Sequence, residues 1–335
     1  MRNACIALLA CACMTQAQAS KIRIVATTTD LADIARAVAG DAADVASITT
    51  GREDPHTLTA RPSFIVRARD ADVWIRVGMA LEVGWEPVIL RDARNNRIRE
   101  GSPGHIDAAA HVIRLEVPLS PVTRDQGDIH AEGNPHYWLD PLNGRLVAAT
   151  ISERLSALFP DKRTSFETNL RAFERELDTR MFGDTLVTAF NGDTLWKMLA
   201  EDRLEAFLSA QDADGKAGGW YAAMRPHRGK TLATYHRSWI YLATRFGLRA
   251  DLQLEPKPGV PPTAKHLAFI VDEMTTRKAR VLLQEPFYPT KAAAFVASRT
   301  DAKVVAAANM TGGSPEASSY LAMLDHVIRN LSEGL

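Results

Sequence analysis

Nine histidines and only three cysteines define the metal and nucleophile chemistry open to this 335-residue chain. Cys5, Cys11 and Cys13 all fall within a leader-like stretch at the start, so the remaining chain offers no thiolate ligand and no disulfide. A metal bound there needs imidazole nitrogen and carboxylate or carbonyl oxygen. Such ligands hold zinc or manganese well when they converge from separate segments and each is fixed before the ion arrives.

Three histidines have the local context for this. His56 lies in "TTGREDPHTLTARPS" (49–63), after a strand ending near Thr49, with Pro55 restricting the backbone before it. His136 lies in "NPHYWLDP" (134–141), where Asp140 is a natural helix N-cap and Pro141 a natural first helical residue. His236 directly follows "KTLATY" and precedes "SWIYLATRFGL". All three are expected at the carboxyl ends of strands, the edge where open α/β sheets place their ligands. Taken singly, His56 reads as a turn residue and His236 as a capping or core histidine; the combination points to a site.

Oxygen for a fourth position is expected from Glu285, which ends "ARVLLQE" and is followed by Pro286. Its readings are ligand, solvent-exposed strand end, and hydrogen-bond partner of a liganding imidazole. His130, in the polar stretch "SPVTRDQGDIHAEGNPH" (120–136), reads either as a transient ligand or as an ordinary loop histidine. His105, His111, His227, His266 and His326 lack comparable context. Tyr137, Trp138 and Trp239 flank the candidates and form either an apolar wall or plain core.

The elements that must position these residues alternate. "KIRIVATT" (21–28), "ADVASIT" (43–49), "DVWIRVG" (72–78) and "HVIRLEV" (111–117) are short, branched and bounded by polar or turn residues, which predicts buried strands. Between the first two, Leu31, Ile34, Ala35 and Val38 recur at helical spacing before Gly40. The pattern returns in "KTLATY" (230–235), "LRADLQLE" (248–255), "ARVLLQE" (279–285) and "AKVVAAA" (302–308). Alternating strand and helix predicts parallel sheets covered on both faces. The expected fold is therefore α/β, with two Rossmann-like lobes at 20–160 and 184–335. A charged segment at 161–183, with Phe166, Leu170, Phe173 and Leu177 on one stripe, is expected to be a long connecting helix. "EPKPGVPPTAKH" (255–266) carries four prolines and predicts a rigid extended linker.

Residues 1–19 have Arg2, an apolar run from Ile6 to Met14, and small residues at Ala17 and Ala19, the layout of a cleaved secretory signal. The alternative takes "LLAC" as a lipoprotein signal acylated at Cys11. Lys plus Arg equals Asp plus Glu at 40 each, so no global field draws nucleic acid or an anionic membrane to the protein.

In order along the chain, "GREDPHTLTARPS", "HAEGNPHYWLDP", "TYHRSWIYLATRFGL", "EPKPGVPP" and "LLQEPFYP" resemble the successive motifs of the zinc- and manganese-binding solute-binding proteins of bacterial ABC importers, the ZnuA/TroA-like family. The resemblance runs over nearly the whole chain after the leader. It implies two lobes joined by a single long helix, a metal in the cleft between them, and His56, His136 and His236 as its ligands. It also implies a periplasmic monomer that delivers its ion to a membrane ABC permease; an adhesin role is compatible with the same fold. The stretch 308–324, where many members place an aspartate, holds none here, leaving Glu285 or a water for the fourth position. Three imidazoles with at most one carboxylate suit Zn²⁺, whereas Mn²⁺ favours more oxygen. The alternatives are a manganese-specific member and, from another class, a zinc hydrolase with an open fourth position. No His-Glu-x-x-His motif accompanies the histidines, so an enzyme is not expected.

Overall fold

The computed structural model describes residues 20–123, 127 and 129–335. The signal-peptide reading of 1–19 and the alternative at Cys11 lie outside these residues. Among the described residues no helix is long and apolar enough to cross a membrane.

The first sheet is built from β1 (Ile22–Ala26), β2 (Ala43–Ser47), β3 (Val73–Arg76) and β4 (His105–Asp107), with α1 (Thr29–Ala39), α2 (Pro62–Asp70) and α3 (Glu86–Ala93) as crossovers. All pairings are parallel and the spatial order is 2-1-3-4. α1 forms where expected. Thr28 caps its N-terminus, Leu31, Ile34, Ala35 and Val38 are buried, and Gly40 at φ 53° ends it.

The chain then enters α4 (Pro141–Leu158) and, through a 3₁₀ turn at Pro160–Lys162, α5 (Arg163–Phe182). α4 packs on α1, while α5 packs on α1, α4 and α9, so it reaches from one sheet's helices to the other's. Gly183, at φ 84°, ends α5 where a Cβ would press on the backbone of Gly218. Four shorter helices follow: α6 (Asp184–Phe190), α7 (Gly192–Ala200), α8 (Leu204–Ala210) and α9 (Gly219–Met224).

The second sheet repeats the first. β5 (Thr231–Thr234), β6 (Arg249–Gln253), β7 (Val281–Gln284) and β8 (Lys303–Ala306) are parallel in the order 6-5-7-8. Their crossovers are α10 (Ile240–Arg245), α11 (Ala264–Thr276) and α12 (Thr290–Ala297), and α13 (Tyr320–Gly334) closes the fold. The two parallel-sheet lobes confirm the expected α/β class.

One expected strand is wrong. "HVIRLEV" (111–117) forms no strand, and the fourth position of the first sheet is taken by His105–Asp107. Ile113 and Val117 are exposed rather than buried. Several backbone groups of this segment find partners outside any ladder: Ile113 N–H donates to Asn143 Oδ1, Ile113 carbonyl accepts from Asn143 Nδ2, Leu115 N–H donates to the Tyr241 hydroxyl, and Leu115 carbonyl accepts from Asn134 N–H.

A single apolar cluster runs through both lobes. It takes Ile24, Val73 and Ile75 from the first sheet, Leu232, Val281 and Leu283 from the second, and Phe166, Phe173 and Leu177 of α5 between them. Both lobes thus share one core along α4, α5 and α13.

Candidate metal centre

His56 sits in a 3₁₀ turn (Pro55–Thr57) capped by Asp54. One carboxylate oxygen, Asp54 Oδ1, accepts from the His56 backbone N–H at 2.9 Å and meets its Nδ1 at 2.8 Å. The other, Oδ2, accepts from the Tyr288 hydroxyl at 3.2 Å, across from the second lobe. Trp85 Nε1 donates to the Pro55 carbonyl at 3.0 Å and pins the turn.

His136 is held in the same way. Asn134 Oδ1 accepts from the His136 N–H at 3.0 Å and meets Nδ1 at 2.9 Å. The Asn134 amide is oriented by its own donations, to Glu116 Oε2 and to the Arg237 carbonyl, both at 3.0 Å. Asp140 caps α4 behind a 3₁₀ turn (Tyr137–Leu139), as the motif implies. Trp138 stacks obliquely on His136 at 5.3 Å and donates its Nε1 to the Asn309 carbonyl at 2.7 Å.

His236 follows β5 by two residues. Its Nδ1 meets Glu255 Oε2 at 2.6 Å, and the same oxygen accepts from Gly259 N–H at 3.1 Å. The proline-rich segment after β6 thus supplies a buried carboxylate to an imidazole of another strand.

Ring centroids of the three histidines lie 5.1, 5.6 and 5.3 Å apart. One ligand nitrogen from each lies within 4.8 Å of the other two. An acceptor on every Nδ1 places the proton there and leaves the lone pair on Nε2. A zinc tetrahedron with Zn–N bonds near 2.05 Å has edges of about 3.3 Å, so a modest contraction brings all three onto one ion. Burial first, and then the neighbouring His56, His236 and His130 rings, hold the His136 pKa well below the usual imidazole value, which keeps it neutral. Burial opposes the Asp54 charge, but hydrogen bonds and attraction to His56 outweigh it and keep its pKa low.

The expectation that all three histidines emerge directly from strand ends holds for His236 alone. His56 lies nine residues beyond Ser47, and His136 comes from the entrance of α4. Glu285 is fully buried just after β7; its Oε1 accepts from the Ser238 hydroxyl at 2.7 Å and its Oε2 has no hydrogen-bond partner. Burial pushes its pKa up to about 8. Neither Glu285 nor His130 is among the three residues whose ligand atoms converge within 4.8 Å of one another. His130 lies beside the cluster, its ring centroid 5.3 Å from that of His56. The other histidines are engaged elsewhere: His105 with Glu86, His266 with the Gln253 carbonyl, His326 with Asn330.

Asp54, Asn134 and Glu255 were not singled out from the sequence. Two of them carried a signal: "DPH" (54–56) and "NPH" (134–136) share one pattern, an Asp or Asn acceptor and a proline ahead of the histidine it orients.

A family model for "ZnuA: Zinc-uptake complex component A periplasmic" matches residues 24–180 and 209–334. The metal ABC transporter substrate-binding lipoprotein SsaB of Streptococcus sanguinis is 30% identical over 171 residues, which are 50% of this chain and 52% of that protein. The zinc-binding lipoprotein AdcA of Streptococcus pneumoniae is 25% identical over 276 residues, 81% of this chain and 47% of AdcA. The chain therefore spans about half the length of the curated relatives it matches. Among solved structures, a crystal structure of ZnuA superposes with a TM-score of 0.69 at 20% identity, covering 94% of this chain and 99% of that one. The laminin-binding protein Lmb of Streptococcus agalactiae gives 0.67 at 20% identity, again covering 94% and 99%. These likenesses show the fold, and the match over both lobes shows the family: the chain belongs to the family described as ZnuA, zinc-uptake complex component A periplasmic.

Proposed function

We propose that the protein captures a divalent metal ion, zinc in preference to manganese, with His56, His136 and His236 as ligands, and delivers it to a membrane ABC permease. The observation that carries this reading is the convergence of three imidazoles, each with its Nδ1 tied to a protein acceptor. An uncharged nitrogen set suits zinc, and the carboxylates of Asp54 and Glu255 stand behind the rings to balance the ion's charge. Relatives bear both names: AdcA is called zinc-binding, and PsaA of Streptococcus mitis is a manganese ABC transporter substrate-binding lipoprotein. The two lobes, taken as 20–160 and 184–335 around the connector 161–183, each supply ligands, so the ion bridges them. Export to the periplasm as a monomer, with the leader 1–19 removed, belongs to the same reading.

Chelator-competition titration of the purified protein tests it. Zinc should bind at one equivalent and outcompete manganese. His136→Ala should weaken zinc by about 100-fold or more while the apo protein keeps its thermal melting point. Unchanged zinc affinity in that variant would refute the three-histidine site.

A further inference from the structure

The three-histidine reading leaves the fourth corner of a zinc tetrahedron to be assigned. We propose that His130 fills it, making an all-imidazole site; this rests on the metal-capture reading above. The centroid distance from His130 to His56, 5.3 Å, falls within the 5.1 to 5.6 Å that separate the three histidines themselves. Among the described residues, neither His130 Nε2 nor His56 Nε2 has a hydrogen-bond partner, and both atoms are buried. Two unpartnered imidazole nitrogens on neighbouring buried rings are costly unless something other than hydrogen bonding uses their lone pairs.

The backbone of Met79 and Ala80 lies against the ring. Met79 and Ala80 adopt φ 51° and 61° directly after Gly78 at 79°. Three successive left-handed residues, two of them with a Cβ, form a strained turn of the kind that recurs at ligand clamps. From the other side, the His130 carbonyl accepts from Gly133 N–H at 3.1 Å, closing a turn that runs straight into Asn134 and His136. His130 is thereby positioned relative to His136 by the backbone itself. A cavity of about 310 Å³ lined by His130, His136 and His236, together with Asn134 and Arg237, leads to the same point.

Glu285, the fourth ligand expected from the sequence, has one oxygen committed to Ser238. An all-nitrogen site differs from a His₃-carboxylate site in charge and in selectivity, because it gives manganese no anionic oxygen at all.

Zinc K-edge absorption fine structure on the zinc-loaded full chain distinguishes the two. The wild type should show four imidazole nitrogens near about 2.0 Å. His130→Ala should show three with one light oxygen, a zinc affinity lower by about 100-fold, and a smaller zinc-over-manganese preference. Glu285→Gln should leave the imidazole count at four. Three imidazoles in the wild type, or a count that His130→Ala leaves unchanged, would overturn the assignment of His130. Failure of the three-histidine reading is a separate result, seen as full zinc affinity in His136→Ala.

Discussion

Each imidazole of the cluster is useful because of the atom behind it. Asp54, Asn134 and Glu255 all bind an Nδ1, so one tautomer is selected at three positions by three different acceptors. For His56 and His136 the acceptor is two residues away across a proline, a local device that can be read from the two tripeptides. For His236 the acceptor lies nineteen residues on, in a different loop, and only the packing of β6 beside β5 brings it near. Removing that carboxylate should therefore loosen the ring without removing a ligand. Glu255→Ala is expected to weaken zinc by about 10- to 100-fold, measured by chelator competition, with one equivalent still bound. Affinity equal to wild type would mean that the surrounding packing holds His236 unaided.

The elements that carry the site are anchored to one another by paired polar groups inside an apolar setting. Asp140, the N-cap of α4, receives Arg245 from the end of α10 at 2.7 Å on both oxygens, with both side chains at most 10% exposed. This pair joins the helix that presents His136 to the helix that follows His236. The Tyr241 hydroxyl of α10 adds a second link, accepting from Leu115 N–H and donating to the Asn134 carbonyl. Arg245→Ala leaves a buried carboxylate without its partner and should cost about 3 to 5 kcal/mol in urea unfolding of the apo protein. A loss below about 1 kcal/mol would place the pair with weak surface bridges. The same scale explains the misread segment 111–117. Its alternation of apolar and charged residues is a genuine strand signal, but its hydrogen bonds go to Asn143 and Tyr241, residues no local pattern announces.

Across the whole molecule the lobes meet through one apolar cluster and a few buried polar contacts. Asp30, at the start of α1 in the first lobe, accepts from both the N–H and the hydroxyl of Thr311, beyond β8 in the second, at 2.8 and 2.9 Å. Its other oxygen is buried without a partner, and burial, aided by the nearby Asp33 charge, raises its pKa to about 7 despite those hydrogen bonds. A carboxyl whose folded pKa exceeds its unfolded value of 3.8 binds its proton more tightly in the native state. Its contribution to stability is complete below about pH 4 and is lost as pH rises through about 7. The loss amounts to about 4 kcal/mol from a shift of about three units. Asp30→Asn removes that dependence, so the variant should exceed wild type in apo stability at about pH 8, with the margin vanishing near pH 4. Urea unfolding at several pH values checks this; a margin independent of pH would assign Asp30 a purely structural role.

The sequence by itself determined the α/β class, the two repeated sets of strands and helices, and the caps of α1 and α4, and it singled out the three histidines that the fold brings together. All of these follow from periodicity, capping and proline placement, which act over a few residues. Only the tertiary structure decided which atoms stand behind the rings, where the fourth strand lies, and that His130 lies beside the cluster while Glu285 turns one oxygen to Ser238. Those outcomes depend on contacts between distant segments. A histidine in a polar loop looks the same in sequence whether it faces water or a buried ring, and the difference is made by the turn at 78–80 and the His56 ring that lie beside it.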